Sequence, residues 1–154
     1  MKKILAVLLV LSLAFCLFAC SGKKEATYDA EKVALALATE LEFGETLEKS
    51  VPEVAYSIYG ISSELCEEAV LYCGSGATAD EVAVFKCVDE TAAEEISLAA
   101  SLRLDYLREG YSSYGPAEVP KIDDATLFVD GKTVIVCICE NSEEVESLIK
   151  ANAD

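Results

Sequence analysis

The chain opens with Met1-Lys2-Lys3, runs apolar from Ile4 to Ala19, and then meets Cys20. A basic start, an apolar stretch and a small residue at the cut form the layout of a secretory signal. This feature limits everything downstream. If the signal leaves after Ala19, the folding unit must build its core from residues 20–154 alone. The stretch Ile4–Ala19 is 16 residues long, short of the roughly 20 that a membrane-spanning helix needs. Beyond Lys23-Lys24 no stop-transfer cluster follows it. Plain secretion and an uncleaved anchor are the alternatives to a processed, membrane-tethered chain.

The segment Leu17-Phe18-Ala19-Cys20 resembles the lipobox of bacterial lipoproteins, where the thiol receives a diacylglyceryl group and becomes the new N-terminus. Phe18 departs from the small residue usual two positions before the cysteine. The resemblance implies a signal peptide over 1–19, lipidation at Cys20, a tether over 20–28 and a single domain over 29–154. The protein is then expected on the extracytoplasmic face of the cell membrane. Two acyl chains on one thiol are enough for stable anchoring, since each buried CH₂ contributes about 0.8 kcal/mol.

With 12 basic and 28 acidic residues the formal charge is −16, and loss of Lys2 and Lys3 with the signal makes it more negative still. Such a surface repels nucleic acid and anionic headgroups, so no nucleic-acid partner is expected. The mature length suits one ordinary domain and is too short for the two lobes of a typical solute-binding lipoprotein. There is no histidine. This removes the commonest metal ligand and neutral-pH base, and with it any Ser-His-Asp or Cys-His arrangement. Apart from Cys16 and Cys20, the cysteines are Cys66, Cys73, Cys87, Cys137 and Cys139. An odd number cannot all pair internally, and their apolar neighbours point to small core residues.

Asp29 can cap a helix to about Phe43, with Val33, Leu37 and Leu41 as its apolar stripe and Gly44 as its stop. Glu45–Ile61 is ambiguous, since Pro52 breaks any long helix, while Tyr56, Ile58 and Tyr59 suit the core. Leu65–Cys73 and Glu81–Val88 read as an antiparallel strand pair; Ala83, Phe85 and Cys87 take one face of the second strand, Val82 and Val84 the other. Thr91-Ala-Ala-Glu94 is a capping box opening a helix to Gly110 or Ser112. Ala92, Ile96, Ala99, Leu102 and Tyr106 should line its inner face, widened by Leu104, Leu107 and Tyr111. Asp130-Gly131 is a hairpin turn between two apolar strands, Ala125–Asp130 and Thr133–Cys139, both expected to be central or covered on both faces. Asn141-Ser-Glu-Glu144 caps a last helix with Val145, Leu148 and Ile149 inward. The expected fold is α+β: a four-stranded, mainly antiparallel sheet packed with helices, in the order αββαββα.

Several of these segments resemble the domain of unknown function 4358 family, uncharacterised lipoproteins of Gram-positive, largely clostridial bacteria. The residues that carry the likeness are Tyr59-Gly60, Ala79-Asp80-Glu81-Val82-Ala83-Val84-Phe85-Lys86, the helix holding Arg103, Tyr114-Gly115-Pro116 and the hairpin at Gly131-Lys132. The likeness covers roughly Asp29 to Cys139. It implies a small envelope domain and supplies no activity, cofactor or catalytic residue.

Candidate chemistry is sparse. Cys137 and Cys139 could present two thiols on one strand face, near Cys73 or Cys87, but the loop CxxC knuckles of zinc sites are missing. Asp80 and Glu81 should point to opposite faces, Asp80 as a turn residue and Glu81 as an edge charge. Asp123-Asp124 lacks the spacing of a calcium loop. Arg103 sits between Leu102 and Leu104; if inward, its permanent charge needs a carboxylate, and Asp80 or Glu81 is the expected partner. Tyr106, Tyr111 and Tyr114 gather at the same helix end. With Arg103 they are the candidate ligand or partner contacts, unless the tyrosines merely cover the sheet edge. The expectation is a non-enzymatic binding or accessory domain with no metal and no cofactor, meeting the membrane through Cys20 and an envelope protein or small ligand through its surface. A carboxylate or tyrosine enzyme and a thiol or metal module are the alternatives.

Overall fold

The computed structural model describes residues 26–154. The signal, Cys20 and most of the tether lie outside the described residues. Five strands form one antiparallel sheet: β1 (Glu48–Ser50), β2 (Cys66–Cys73), β3 (Glu81–Cys87), β4 (Thr126–Asp130) and β5 (Thr133–Ile138), in the order β1-β2-β3-β5-β4. The helices are α1 (Ala30–Glu40), α2 (Pro52–Tyr59), α3 (Glu90–Tyr114), α4 (Val119–Asp123) and α5 (Val145–Ala151).

The sheet is covered on both faces, which explains its apolar centre. Ala83, Phe85 and Cys87 of β3 join Val134, Val136 and Ile138 of β5 under α2, α3 and α4. Val82 and Val84 join Ile135 and Cys137 under α1 and α5. Strand side chains alternate between faces, so both central strands feed two cores at once. Phe85, Ile135 and Ile138 have no exposed surface; each such burial contributes about 1.5–3 kcal/mol.

Local signals start and stop the elements. Asp29 caps α1, accepting the Lys32 amide at 2.8 Å, and Val33 and Leu37 are fully buried as its stripe requires. The chain turns extended at Leu41, three residues before Gly44. Gly131, with φ 52°, makes the tight β4–β5 turn that any side chain would strain.

The α+β class and the antiparallel pairing stand, but the strand count rises from four to five. Glu48–Ser50 is short, polar and largely exposed, and pairs only with β2, so no hydrophobic alternation marked it. No helix runs across Pro52, as expected; it opens the short α2 at a first-turn position where the missing N–H costs nothing. The element order is therefore longer than αββαββα. Asp89, rather than the Thr91 box, caps α3, accepting the Ala92 amide at 2.8 Å. Asn141 does not cap α5; its side-chain oxygen accepts the Glu42 amide at 3.3 Å. Strand β4 is an edge strand and only half-buried, while β5 is wholly buried.

Candidate functional site

The strand β3 begins at one end of the sheet, where Asp80 and Glu81 enter it. Both are buried, against the expectation of a turn residue and an edge charge. A buried carboxylate must find cations or donors, and each of these finds its own set.

Glu81 points to the α2–α3 side. Its Oε2 accepts from Arg103 Nη2 at 2.7 Å, and its Oε1 accepts the Tyr59 hydroxyl at 2.8 Å. The expected partnership of Arg103 is thus present, with Glu81 as the acid. Burial opposes the Arg103 charge, and the bonded carboxylate outweighs it and raises the guanidinium pKa. Burial first, and then Glu81, push the Tyr59 hydroxyl well up. The Tyr59 ring meets Phe85 edge-on at 4.9 Å, so the pair is fixed from below by the core.

Asp80 points away from it. Its Oδ1 takes Lys121 Nζ at 2.7 Å, and its Oδ2 takes the Gly44 amide at 2.7 Å. Lys121 also reaches Glu118 at 3.0 Å and Glu140 at 2.8 Å. Burial pulls its pKa down, but the three carboxylates outweigh that and raise it. The ammonium holds the centre of an acidic cage.

Above Glu81 lies a groove of about 330 Å³ between the Val54 and Ile58 side of α2, the second half of α3 and the loop 74–80. All four candidate contact residues, Arg103, Tyr106, Tyr111 and Tyr114, line it. Their roles differ. Tyr111 is 3 % exposed; its hydroxyl donates to the carbonyls of Gly76 and Thr78 and ties down the loop. Burial and the neighbouring Tyr114 hydroxyl push its pKa up. Arg103 forms the floor with its side chain 15 % exposed. Tyr106 and Tyr114 are 70 % and 67 % exposed and form the rim. The expectation that Leu102 and Tyr106 face inward is therefore corrected: both project outward, with Arg103 on the inward side of this turn. Tyr114 stacks beside Tyr111 at 4.7 Å between ring centres.

The far wall is braced by Glu45. Its carboxylate accepts the Thr78 amide at 3.3 Å, and the nearby donors of Ser75 and Thr78 lower its pKa to about 2. Thr78 Oγ1 donates to Glu45 at 2.8 Å. Lys121, Glu45 and Glu118 escape sequence reasoning, which reaches Tyr59 only as a core residue. Each has a partner 22 to 41 residues away that no local spacing marks; the Glu118–Lys121 contact alone has a helical i,i+3 spacing. A larger recess, about 400 Å³, opens between Tyr28 and Lys132 at the opposite end of the sheet; it has no comparable buried charge network.

The five thiols do not gather at one place. Cys87 lies in the α2–α3 core, and Cys137 and Cys139 lie in the α1–α5 core. Among the described residues no group of three or more Cys, Asp and Glu is arranged to hold a metal. Among these residues, also, every buried side-chain polar atom has a hydrogen-bond partner.

No curated protein and no solved structure matches the chain. A family model, Domain of unknown function (DUF4358), matches residues 39–139. That span covers more than half of the chain and takes in Asp80, Glu81, Arg103, Lys121 and the three groove tyrosines; the protein belongs to the family defined by this domain.

Proposed function

We infer that the protein is a lipid-anchored lipoprotein of the extracytoplasmic membrane face, whose domain makes binding or accessory contacts in the cell envelope and performs no catalysis. The observation that carries the anchoring is Cys20 directly behind the apolar run Ile4–Ala19.

The contact reading is supported by the groove. Its charged groups are already spent on one another: both Glu81 oxygens are occupied and Arg103 is paired. Tyr59 and Tyr111 are held in their neutral forms by burial. Such groups are fixed scaffolding, poorly placed to exchange protons with a substrate. What remains open is a pair of exposed rings, Tyr106 and Tyr114, on a rigid rim, and amphipathic aromatic rings are favoured contact residues. The Glu81–Arg103 pair contributes no net charge and the chain around it carries −16, so the occupant is neutral or basic.

The experiment is fractionation of cells expressing wild type or Cys20→Ala. Wild type partitions into membranes at the processed size. The variant stays unprocessed or is shed. A variant found in membranes at the wild-type size contradicts lipidation at Cys20.

A further inference from the structure

Cys66 of β2 lies directly opposite Cys87 of β3. Val88 donates its amide to the Leu65 carbonyl at 3.0 Å. That bond joins the residue before Cys66 to the residue after Cys87, which makes the two cysteines a non-hydrogen-bonded pair of the antiparallel ladder. Such pairs hold their Cα atoms about 4.5 Å apart with side chains close. A disulfide requires a Cα separation of about 4.4–6.8 Å. The ladder has its irregularity here, with Glu67 as the extra residue between Cys66 and Glu68, so the backbone has local freedom to settle.

Both thiols sit on the same face of the sheet: Cys87 is in the α2–α3 core and Cys66 packs against it. Cys87 has no exposed surface, whereas Cys66 is half-buried and reachable. The other three cysteines are less well placed: Cys137 and Cys139 are both buried, out of reach of a dissolved disulfide. Cys73 lies at the far end of β2 opposite Glu81. Cys137 and Cys139 are on the other face, two residues apart along one chain, where strand rise puts their Cα atoms about 6.6 Å apart, near the upper limit for a bridge.

We propose that Cys66 and Cys87 are a disulfide-forming pair, oxidised by thiol–disulfide exchange with a low-molecular-weight disulfide. The Cys66 thiol gives up its proton, and the thiolate attacks one sulfur of the small disulfide. One small thiolate leaves and takes up a proton, and a mixed disulfide stands on Cys66. The Cys87 thiolate then attacks the Cys66 sulfur. The Cys66–Cys87 bond forms and the second small thiol leaves with the proton that Cys87 gave up. Two protein thiols are oxidised and one small disulfide is reduced to two thiols.

Burial pushes Cys66 up to about 11 and Cys87 up to about 12. The reactive thiolates are scarce at neutral pH, so the exchange is slow there and quickens about tenfold per pH unit while the pH stays below these values. The bridge joins strands already paired and requires no change of topology. It is independent of the anchoring and of the groove.

The test incubates the detergent-extracted full-length protein with oxidised glutathione at pH 7, 8 and 9, and follows intact mass and disulfide-linked peptides. The expected product is lighter by two hydrogen atoms, has Cys66 joined to Cys87, and forms about tenfold faster for each pH unit. Cys66→Ser and Cys87→Ser should each abolish it, and Cys137→Ser should leave it. Circular dichroism checks that each variant is folded. A glutathione adduct that persists on Cys66, a bridge involving Cys73, Cys137 or Cys139, or no mass loss at pH 9 would overturn the proposal.

Discussion

Asp80 and Glu81 are adjacent in the chain, yet each is buried against a different cation: Asp80 against Lys121 at 2.7 Å and Glu81 against Arg103 at 2.7 Å. Neighbouring residues at a strand must point to opposite faces. Even so, one dipeptide fastens two helices of the same sheet face through separate bonds, α3 by Arg103 and α4 by Lys121. It also places the floor of the groove, since Arg103 cannot leave Glu81 without stranding a buried charge.

Arg103→Met should destabilise strongly. The variant keeps the apolar stem but leaves Glu81 buried with only the Tyr59 hydroxyl. Removing one partner of a buried pair costs about 3–5 kcal/mol. Urea unfolding checks this. A loss below about 1 kcal/mol, the range of exposed pairs, contradicts the buried-pair account.

Lys121→Met should do comparable damage, for it strands Asp80 among Glu118 and Glu140. The control is Lys150→Ala. Lys150 pairs with Glu146 at 2.7 Å, but both side chains are 60 % exposed, and such i,i+4 pairs contribute about 0.3–0.5 kcal/mol. Equal losses for the two variants would show that the Lys121 cage has no special weight.

Glu45 makes the loop wall pH-dependent. Its folded pKa, about 2, lies below the ordinary value of 4.5 because the nearby donors of Ser75 and Thr78 favour the ionised form. A depressed carboxylate contributes fully above about pH 4.5, and its contribution fades as the pH falls toward 2. The amide resonances of Ser75 and Thr78 should report this titration with a midpoint near pH 2. In Glu45→Gln it should vanish. A wild-type midpoint above pH 4 contradicts the bracing of the loop by Glu45.

What the sequence made legible was the part with local periodicity. The alternation of Val82, Ala83, Val84 and Phe85 named both faces of β3 correctly, and Asp130-Gly131 named the hairpin. The inward guanidinium at Arg103, amid leucines, forced an acidic partner, and Glu81 is that partner. What stayed hidden has long-range causes. Lys121 follows Pro120 in a five-residue helix, and nothing nearby in sequence tells that Asp80, 41 residues earlier, will bury it. The same holds for β1, whose Glu48-Lys49-Ser50 pairing is a backbone affair at an exposed edge. The helix stripe misplaced Leu102 and Tyr106 because apolar residues along α3 fit more than one phase. The packed side runs through Ile96, Ala100, Leu104, Leu107 and Tyr111, with Arg103 beside it, and leaves Leu102 and Tyr106 outside.

The measurement that bears most directly on the contact role is site-specific photocrosslinking in cells. A benzoyl-phenylalanine is placed at Tyr106, at Tyr114, or at Leu98, which is on the same helix, 64 % exposed and not part of the groove wall. If the groove is the contact face, irradiation yields a discrete adduct of the membrane-anchored protein from positions 106 and 114 and none from position 98. No adduct at the two rim positions, or the same adduct from position 98, contradicts it.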